Sequence, residues 1–263
     1  MRRTLFLLTA LFLFSAGCAY AQNYRKIQWS KEKMDSIWDR PQDKTTACSE
    51  ALARYKPSVD SLEIVVGNCP EGMTKSGYPC ALSNMTVDII KEFAQNYLNT
   101  KGKGEKVALS LINYGGLRSN FAKGNVTVAD VYSMYPFYNY VIVIDLKGKH
   151  IKTLFEMVAR NPRVCAFGGA KAVIEDKKVK ELTLDGREIE DETIYKVATI
   201  DFLLNGGDGV YMLRYNDGVE EIPERSLLRD VILDKFAVMK AEGRDIEWPL
   251  DDRLTVIENK CYI

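Results

Sequence analysis

Val107-Ala108-Leu109-Ser110-Leu111-Ile112-Asn113-Tyr114-Gly115-Gly116-Leu117-Arg118 is the stretch on which the fold turns. The run up to Asn113 is apolar apart from Ser110 and short, which suits a buried strand better than a buried helix. Two glycines and an arginine follow at once. Glycine lets a backbone come close to a ligand, and a guanidinium just beyond can fork onto phosphate or carboxylate. A surface turn with a solvated arginine has the same composition, so this loop gains meaning only beside others like it.

Two others exist. Tyr135-Pro136-Phe137-Tyr138-Asn139-Tyr140 leads into a second apolar strand, Tyr140–Leu146, which Lys147-Gly148 closes. Its aromatics could equally form a corner of the core. Tyr195–Ile200 predicts a third buried strand, followed by Phe202-Leu203-Leu204-Asn205-Gly206-Gly207-Asp208-Gly209. Consecutive glycines before an aspartate can aim its carboxylate at ligand hydroxyls, although they also make a good turn.

The elements between these loops are helical and extended by turns. Met85, Ile89, Phe93 and Tyr97 recur at four-residue spacing and predict a helix beginning after Ser83, ended by Asn99, Gly102 and Gly104. Thr127 reads as an N-cap with Asp130 three residues on. Ile151–Arg160 is an amphipathic helix that stops before Asn161-Pro162. Ala172–Ile174 and Val179–Leu184 predict a hairpin region with Asp185-Gly186 as a turn. A last helix is expected over Glu224–Lys240, and Ser61–Val66 is a strand candidate within a polar lead-in. This alternation without repeats places the chain in the mixed α/β class.

Composition narrows the function. Lys+Arg and Asp+Glu number 36 each among 263 residues, so the basic excess of a dedicated nucleic-acid binder is missing. A hydrophobic content of 46% argues against disorder. There is one histidine, His150, which all but rules out a His-rich or binuclear metal site. It lies among lysines and reads as a solvated surface residue. The cysteine spacing fits no zinc pattern, and Cys69 and Cys80, flanking a turn-rich stretch, are the best candidates for a bridge.

Residues 1–21 read as a targeting segment: Arg2 and Arg3, an apolar stretch from Leu5 to Phe14, then Ala19-Tyr20-Ala21 before Gln22. Ser15-Ala16-Gly17-Cys18 also looks like a lipobox, which would leave a lipid on Cys18. Either reading exports the chain, to the periplasm or as an outer-membrane lipoprotein. Residues 22–74 are expected as a lead-in packing on the domain, 75–258 as the domain and 259–263 as a tail.

In their order and separation the three loops resemble the C-terminal domain of the 5′-nucleotidase family, whose pattern runs Asn-x-Gly-Gly-Ile/Leu-Arg, Pro-Phe-x-Asn and Phe-x-x-x-Gly-Gly-Asp-Gly. Here these are Asn113 to Arg118, Pro136 to Asn139 and Phe202 to Gly209. Leu82 to Asp88 resembles the family's opening helix, and Gly168-Gly169 stands where Ser-Gly is common. The resemblance spans about residues 75 to 258 and implies a single domain of mixed sheets covered by helices.

That resemblance also implies roles. Phe137 and Phe202 match the rings that sandwich a nucleobase, and Asp208 the carboxylate that takes the ribose hydroxyls. Arg118 matches an arginine on the ribose and phosphate side, while Asn113 and Asn139 match asparagines that bond the base or support the pocket. Gly115, Gly116, Gly168, Gly169, Gly206 and Gly207 match the supporting glycines. The family often has a further arginine before its opening helix; here that region reads Ser76-Gly77-Tyr78-Pro79. Phe167 stands where a small residue is usual, either narrowing the pocket or repacking the core.

In the family, catalysis belongs to a second domain holding two metal ions. This sequence has no Asp-x-His and no Gly-Asn-His segment. The expectation is a substrate-binding half of a split 5′-nucleotidase, with no catalytic residue or cofactor of its own. It would bind a nucleotide or nucleoside such as AMP or adenosine, beside a separate metallophosphatase chain that carries the divalent metals. No nucleic-acid polymer is expected as a partner, and membrane contact only through lipid on Cys18. The other reading is an exported nucleoside or nucleotide binder without catalytic purpose.

Overall fold

The computed structural model describes residues 47–257, apart from Lys103 and Glu224. The targeting segment, the lipobox, the first part of the lead-in (22–46) and the tail lie outside the described residues.

Helix α1 (Ala47–Leu62) is followed by β1 (Val65–Cys69), so the strand expected over Ser61–Val66 begins four residues later. Strand β1 pairs antiparallel with β3 (Gly124–Thr127). Strand β1, within the expected lead-in, is thereby joined to a strand of the domain. Helix α2 (Ala81–Thr100) also starts earlier than its apolar spacing suggests. Ser83 lies within its first turn, where its hydroxyl accepts the Cys80 N–H at 3.0 Å and meets an otherwise unpaired helix-end donor. The bridge expected between Cys69 and Cys80 is not made, and both are buried as free thiols. The turn-rich stretch between them does not fold back on itself, because Met73 pairs with Phe121 and draws the chain elsewhere.

A five-stranded mixed sheet organises the domain, in the order β10 (Gly218–Glu221), β4 (Val141–Lys147), β9 (Ile194–Ile200), β2 (Val107–Asn113), β5 (Cys165–Gly168). Strand β2 has the bounds that its apolar run suggests. Val141 to Ile144 are all buried, as expected of a strand covered on both faces. Helix α2 packs on β2 and β5. Helix α4 (Gly148–Arg160) packs on β4 and on β7 (Lys178–Leu184). A four-stranded sheet joins β7 to β6 (Ala170–Glu175), β8 (Arg187–Glu188) and β11 (Leu254–Ile257). The turn between β6 and β7 is Asp176-Lys177, and Asp185-Gly186 turns β7 into β8.

Helix α3 (Val128–Met134) has the predicted capping box: Thr127 Oγ1 accepts the Asp130 N–H at 3.3 Å, while Asp130 takes the Thr127 N–H at 2.8 Å. Helix α6 (Leu228–Ala241) starts four residues later than Glu224. The chain just before it is engaged elsewhere: Val141 N–H donates to the Ser226 carbonyl at 2.7 Å, and Leu227 pairs with Tyr140. Arg253 fixes β11 to α2 through a fork onto both Asp88 oxygens, each at 2.9 Å. None of the described helices is long and apolar enough to cross a membrane.

Burial pushes the Tyr78 and Tyr135 hydroxyls well above their usual range and the Cys165 thiol up to about 12. Unfolded, these groups ionise near pH 8.5 for a thiol and about 10 for a phenol. Native pKa values above unfolded ones give stability that is complete below pH ~8.5 and is lost as pH rises, by up to about 1.4 kcal/mol per pH unit for each group in its window. Melting temperature should therefore fall steadily between about pH 9 and 11. A flat profile would mean that these groups ionise in place.

Candidate functional site

Topology brings the three loops to one end of the five-stranded sheet. Strands β2 and β9 run parallel, with Ser110 opposite Ala198, so their C-terminal ends at Asn113 and Ile200 finish side by side. Strands β4 and β5 run against them and begin at the same end, with Val141 opposite Ile200 and Cys165 opposite Asn113. Whatever follows β2 and β9 and precedes β4 must meet here.

A cavity of about 260 Å³ opens at this end, lined by Asn113, Gly115, Arg118, Phe137, Asn139, Phe202 and Asp208. All six candidate side chains thus reach one space, just under the usual lower size of small-molecule sites, about 300 Å³. Phe137 and Phe202 stay 48% and 40% exposed although the core lies close by. The aromatic loop divides its rings. Tyr135 is buried and its hydroxyl pairs with that of Thr86 at 2.7 Å, while Phe137, Tyr138 and Tyr140 face outward.

Asn113, only 6% exposed, donates its Nδ2 to Asp208 Oδ2 at 2.8 Å. An ionised carboxylate only accepts, so Asn113 must turn its amide nitrogen toward it. Its Oδ1 is then buried without a donor. Such an acceptor is costly unless something supplies a hydrogen bond. Gly116 makes this placement possible, because a Cβ there would stand 2.7 Å from Asn113 Oδ1. Asp208 itself holds a left-handed backbone, φ 50° and ψ 24°, a conformation few residues other than glycine, asparagine and aspartate accept readily.

Arg118 donates to the Gly115 carbonyl at 3.2 Å, and its guanidinium carbon lies 5.9 Å from the centre of the Phe137 ring. Its N–H bonds the Met134 carbonyl at 3.1 Å, tying this loop to the end of α3. Two cations missed by sequence reasoning stand nearby. Lys75 donates to the Leu117 carbonyl at 2.8 Å and lies 4.5 Å over the Tyr114 ring. Burial, and then the Arg118 and Arg163 charges, hold its ammonium below the usual lysine value. Among the described residues none of these three cations has a carboxylate partner within ion-pair distance. No motif marks Lys75; only its place before the opening helix, where the family often has an arginine, offered a signal.

Asp201 was also missed. Opening the short helix α5 (Asp201–Leu204), its Oδ1 accepts the N–H of Phe202 at 2.8 Å and of Tyr140 at 3.0 Å, so one carboxylate fastens both aromatic loops. Gly168 and Gly169 lie away from the cavity. Gly168 pairs with Ser110 midway along β2, and a Cβ on either glycine would collide with its surroundings there. Phe167 is buried, edge-on to Phe155 at 4.8 Å, and repacks the core.

Residues 65–215 match the family described as 5′-nucleotidase, C-terminal domain. The chain belongs to this family. An apyrase of Tabanus yao is 32% identical to this 5′-nucleotidase C-terminal domain over 131 residues, which is 42% of this chain and 24% of the apyrase. A 5′-nucleotidase-related protein of Glossina morsitans morsitans is 28% identical over 226 residues, 74% of this chain and 40% of that protein. The 5′-nucleotidase precursor from Thermus thermophilus shares the fold, with a TM-score of 0.65 at 22% identity, covering 80% of this chain and 43% of that one. The chain thus spans two fifths or less of the curated relatives named here.

Among the described residues no three His, Cys, Asp or Glu side chains converge as ligands. His150 is half-buried, its ring stacked on Tyr215 at 5.2 Å. No metal step is assigned to this chain.

Proposed function

We propose that this chain is the nucleotide-binding half of a split 5′-nucleotidase, exported and acting with a separate metallophosphatase chain that carries the divalent metals. One observation carries the reading: two half-exposed phenylalanines, a carboxylate and an orphaned amide oxygen converge on one cavity. Phe137 and Phe202 offer faces on which any base can stack, each worth roughly 1–3 kcal/mol. Asp208 accepts from the vicinal ribose hydroxyls, and the Asn113 oxygen takes a ligand N–H or O–H. Arg118 lines the cavity, and the charges of Lys75 and Arg163, close enough to act on one another, add to its positive potential, which favours a phosphorylated ligand such as AMP over adenosine. With a single histidine in 263 residues, hydrolysis is left to the partner.

Reconstitution tests this reading. The chain with divalent metal alone should not hydrolyse AMP, and a metallophosphatase co-purified with it from its native host should turn over AMP faster in its presence. AMP hydrolysis unchanged on removing this chain would overturn the split enzyme; AMP binding that persists would then leave the simple binder. Lys75→Met should weaken AMP binding by about 1 kcal/mol while leaving adenosine alone, as expected of one partly exposed charge–phosphate contact. Equal effects on both ligands in calorimetry would remove Lys75 from the phosphate edge.

A further inference from the structure

Beside the cavity, the loop that bears Phe137 takes part in a second arrangement, centred on Arg229. Arg229, the second residue of α6, is only 8% exposed. Its guanidinium carbon lies 4.6 Å from the centre of the Tyr132 ring and 4.3 Å from that of Tyr138. Among the described residues its side chain has no hydrogen bond or ion pair, and its Nε is buried without an acceptor. The two rings are therefore what holds the guanidinium in place.

The position is costly. A cation in the first turn of a helix opposes the helix dipole, and a buried charge without an anion loses its hydration. An arginine suits such a place better than a lysine, because its flat, weakly hydrated head stacks on aromatic faces. What the sandwich secures is Tyr138, a ring 72% exposed even so, on the loop that bears Phe137. Downstream the loop is well tied: Leu228 N–H donates to the Asn139 carbonyl at 2.9 Å, and Tyr140 N–H to Asp201. Upstream it continues from α3, which carries Tyr132. Between those attachments, the Phe137 ring meets the Arg118 guanidinium at 5.9 Å.

We propose that Arg229 is a positioning residue for base recognition, clamping Tyr138 against Tyr132 so that the neighbouring Phe137 stands as a fixed wall of the cavity. Wall rigidity matters because a ring that must be ordered on binding returns less affinity than one already held. The clamp rests on the nucleotide-binding reading only for its purpose. Its mechanical part is independent of any ligand.

The test uses both levels. In ligand-free protein, ¹⁵N relaxation should report a rigid Phe137 amide, with an order parameter near ~0.85, falling toward ~0.6 in Arg229→Met. Tyr138→Leu should do the same without risk to the fold, since that side chain is largely exposed. In binding, Arg229→Met should weaken AMP about tenfold, the size of one desolvated cation–π contact, and leave ribose 5-phosphate unchanged. Arg229→Lys should recover part of the loss. An unchanged order parameter in both variants, or equal losses for AMP and ribose 5-phosphate, would overturn the proposal. If the unaltered chain binds no AMP, the nucleotide reading fails by itself, and the order parameters still decide whether the clamp exists.

Discussion

Asp208→Ala is expected to lower AMP affinity by about a hundredfold, or ~2.7 kcal/mol, the upper part of the range for hydrogen bonds to a charged group. Three losses combine. The carboxylate that receives the sugar hydroxyls disappears. Asn113, whose oxygen already lacks a donor, loses the acceptor of its nitrogen as well. Alanine must also hold φ near 50°, which costs roughly 1–2 kcal/mol and loosens the loop. Asp208→Asn separates these terms. Asparagine accepts the left-handed backbone and keeps the shape, so only the charge is lost, and about a tenfold weakening should remain. Calorimetry with AMP measures both variants. Affinity equal to that of the unaltered chain in Asp208→Ala would remove the ribose from this carboxylate.

Much of this arrangement is legible in the sequence, and the reasons differ by element. Strand β2 reads directly because an apolar run bounded by Lys106 and Tyr114-Gly115-Gly116 has one reasonable conformation. The cap of α3 reads as well, since Thr127 and Asp130 form bonds that depend only on local spacing. The meeting of the three loops does not. It depends on β9 lying parallel to β2, with β4 and β5 running back beside them, and pairing order leaves no mark on any one strand. Tertiary contacts also moved boundaries. Glu224 to Leu227 has helical composition, yet Ser226 and Leu227 are taken up by backbone pairing with the start of β4 and the end of the aromatic loop. Cys69 and Cys80 are close in sequence, but the chain between them is committed to Phe121.

The residues that hold the binding groups were the least legible. Asp201 touches both aromatic loops through backbone N–H groups, a role that any carboxylate after a strand could have. Lys75 and Arg229 acquire theirs only from neighbours far along the chain. Motifs point to the side chains facing a ligand; the supports behind them answer to packing, which one sequence leaves unstated. Gly168 and Gly169 show the reverse case. They have the composition of a binding loop, and their missing Cβ atoms serve the close approach of Ser110, Asp88 and the Ala108 backbone.

Gly207→Ala should rival Asp208→Ala in effect, for a steric reason. An ideal Cβ at Gly207 would lie 2.3 Å from Phe202 Cε1 and 2.5 Å from Cδ1 and Cζ, so the ring rests directly on the glycine. The Gly207 φ is not among the positive ones, and alanine meets no backbone strain there. The added methyl therefore meets Phe202 first, and the half-exposed ring yields by swinging away from its place at the cavity. Phe202→Ala, which deletes the ring, should weaken AMP by roughly 1–3 kcal/mol. Gly207→Ala should lose at least as much, about a hundredfold, because the displaced ring forfeits its stacking and also obstructs the site. The double variant separates this from a general loosening of the loop. Once Phe202 is alanine, the methyl at position 207 has nothing to displace, so Phe202→Ala with Gly207→Ala should bind AMP no worse than Phe202→Ala alone. Melting temperatures should stay close to that of the parent, since the ring moves toward solvent and the buried core is untouched. Additive losses in the double variant would mean that Gly207 acts through the backbone, and would detach Phe202 from the wall on which the nucleotide reading depends.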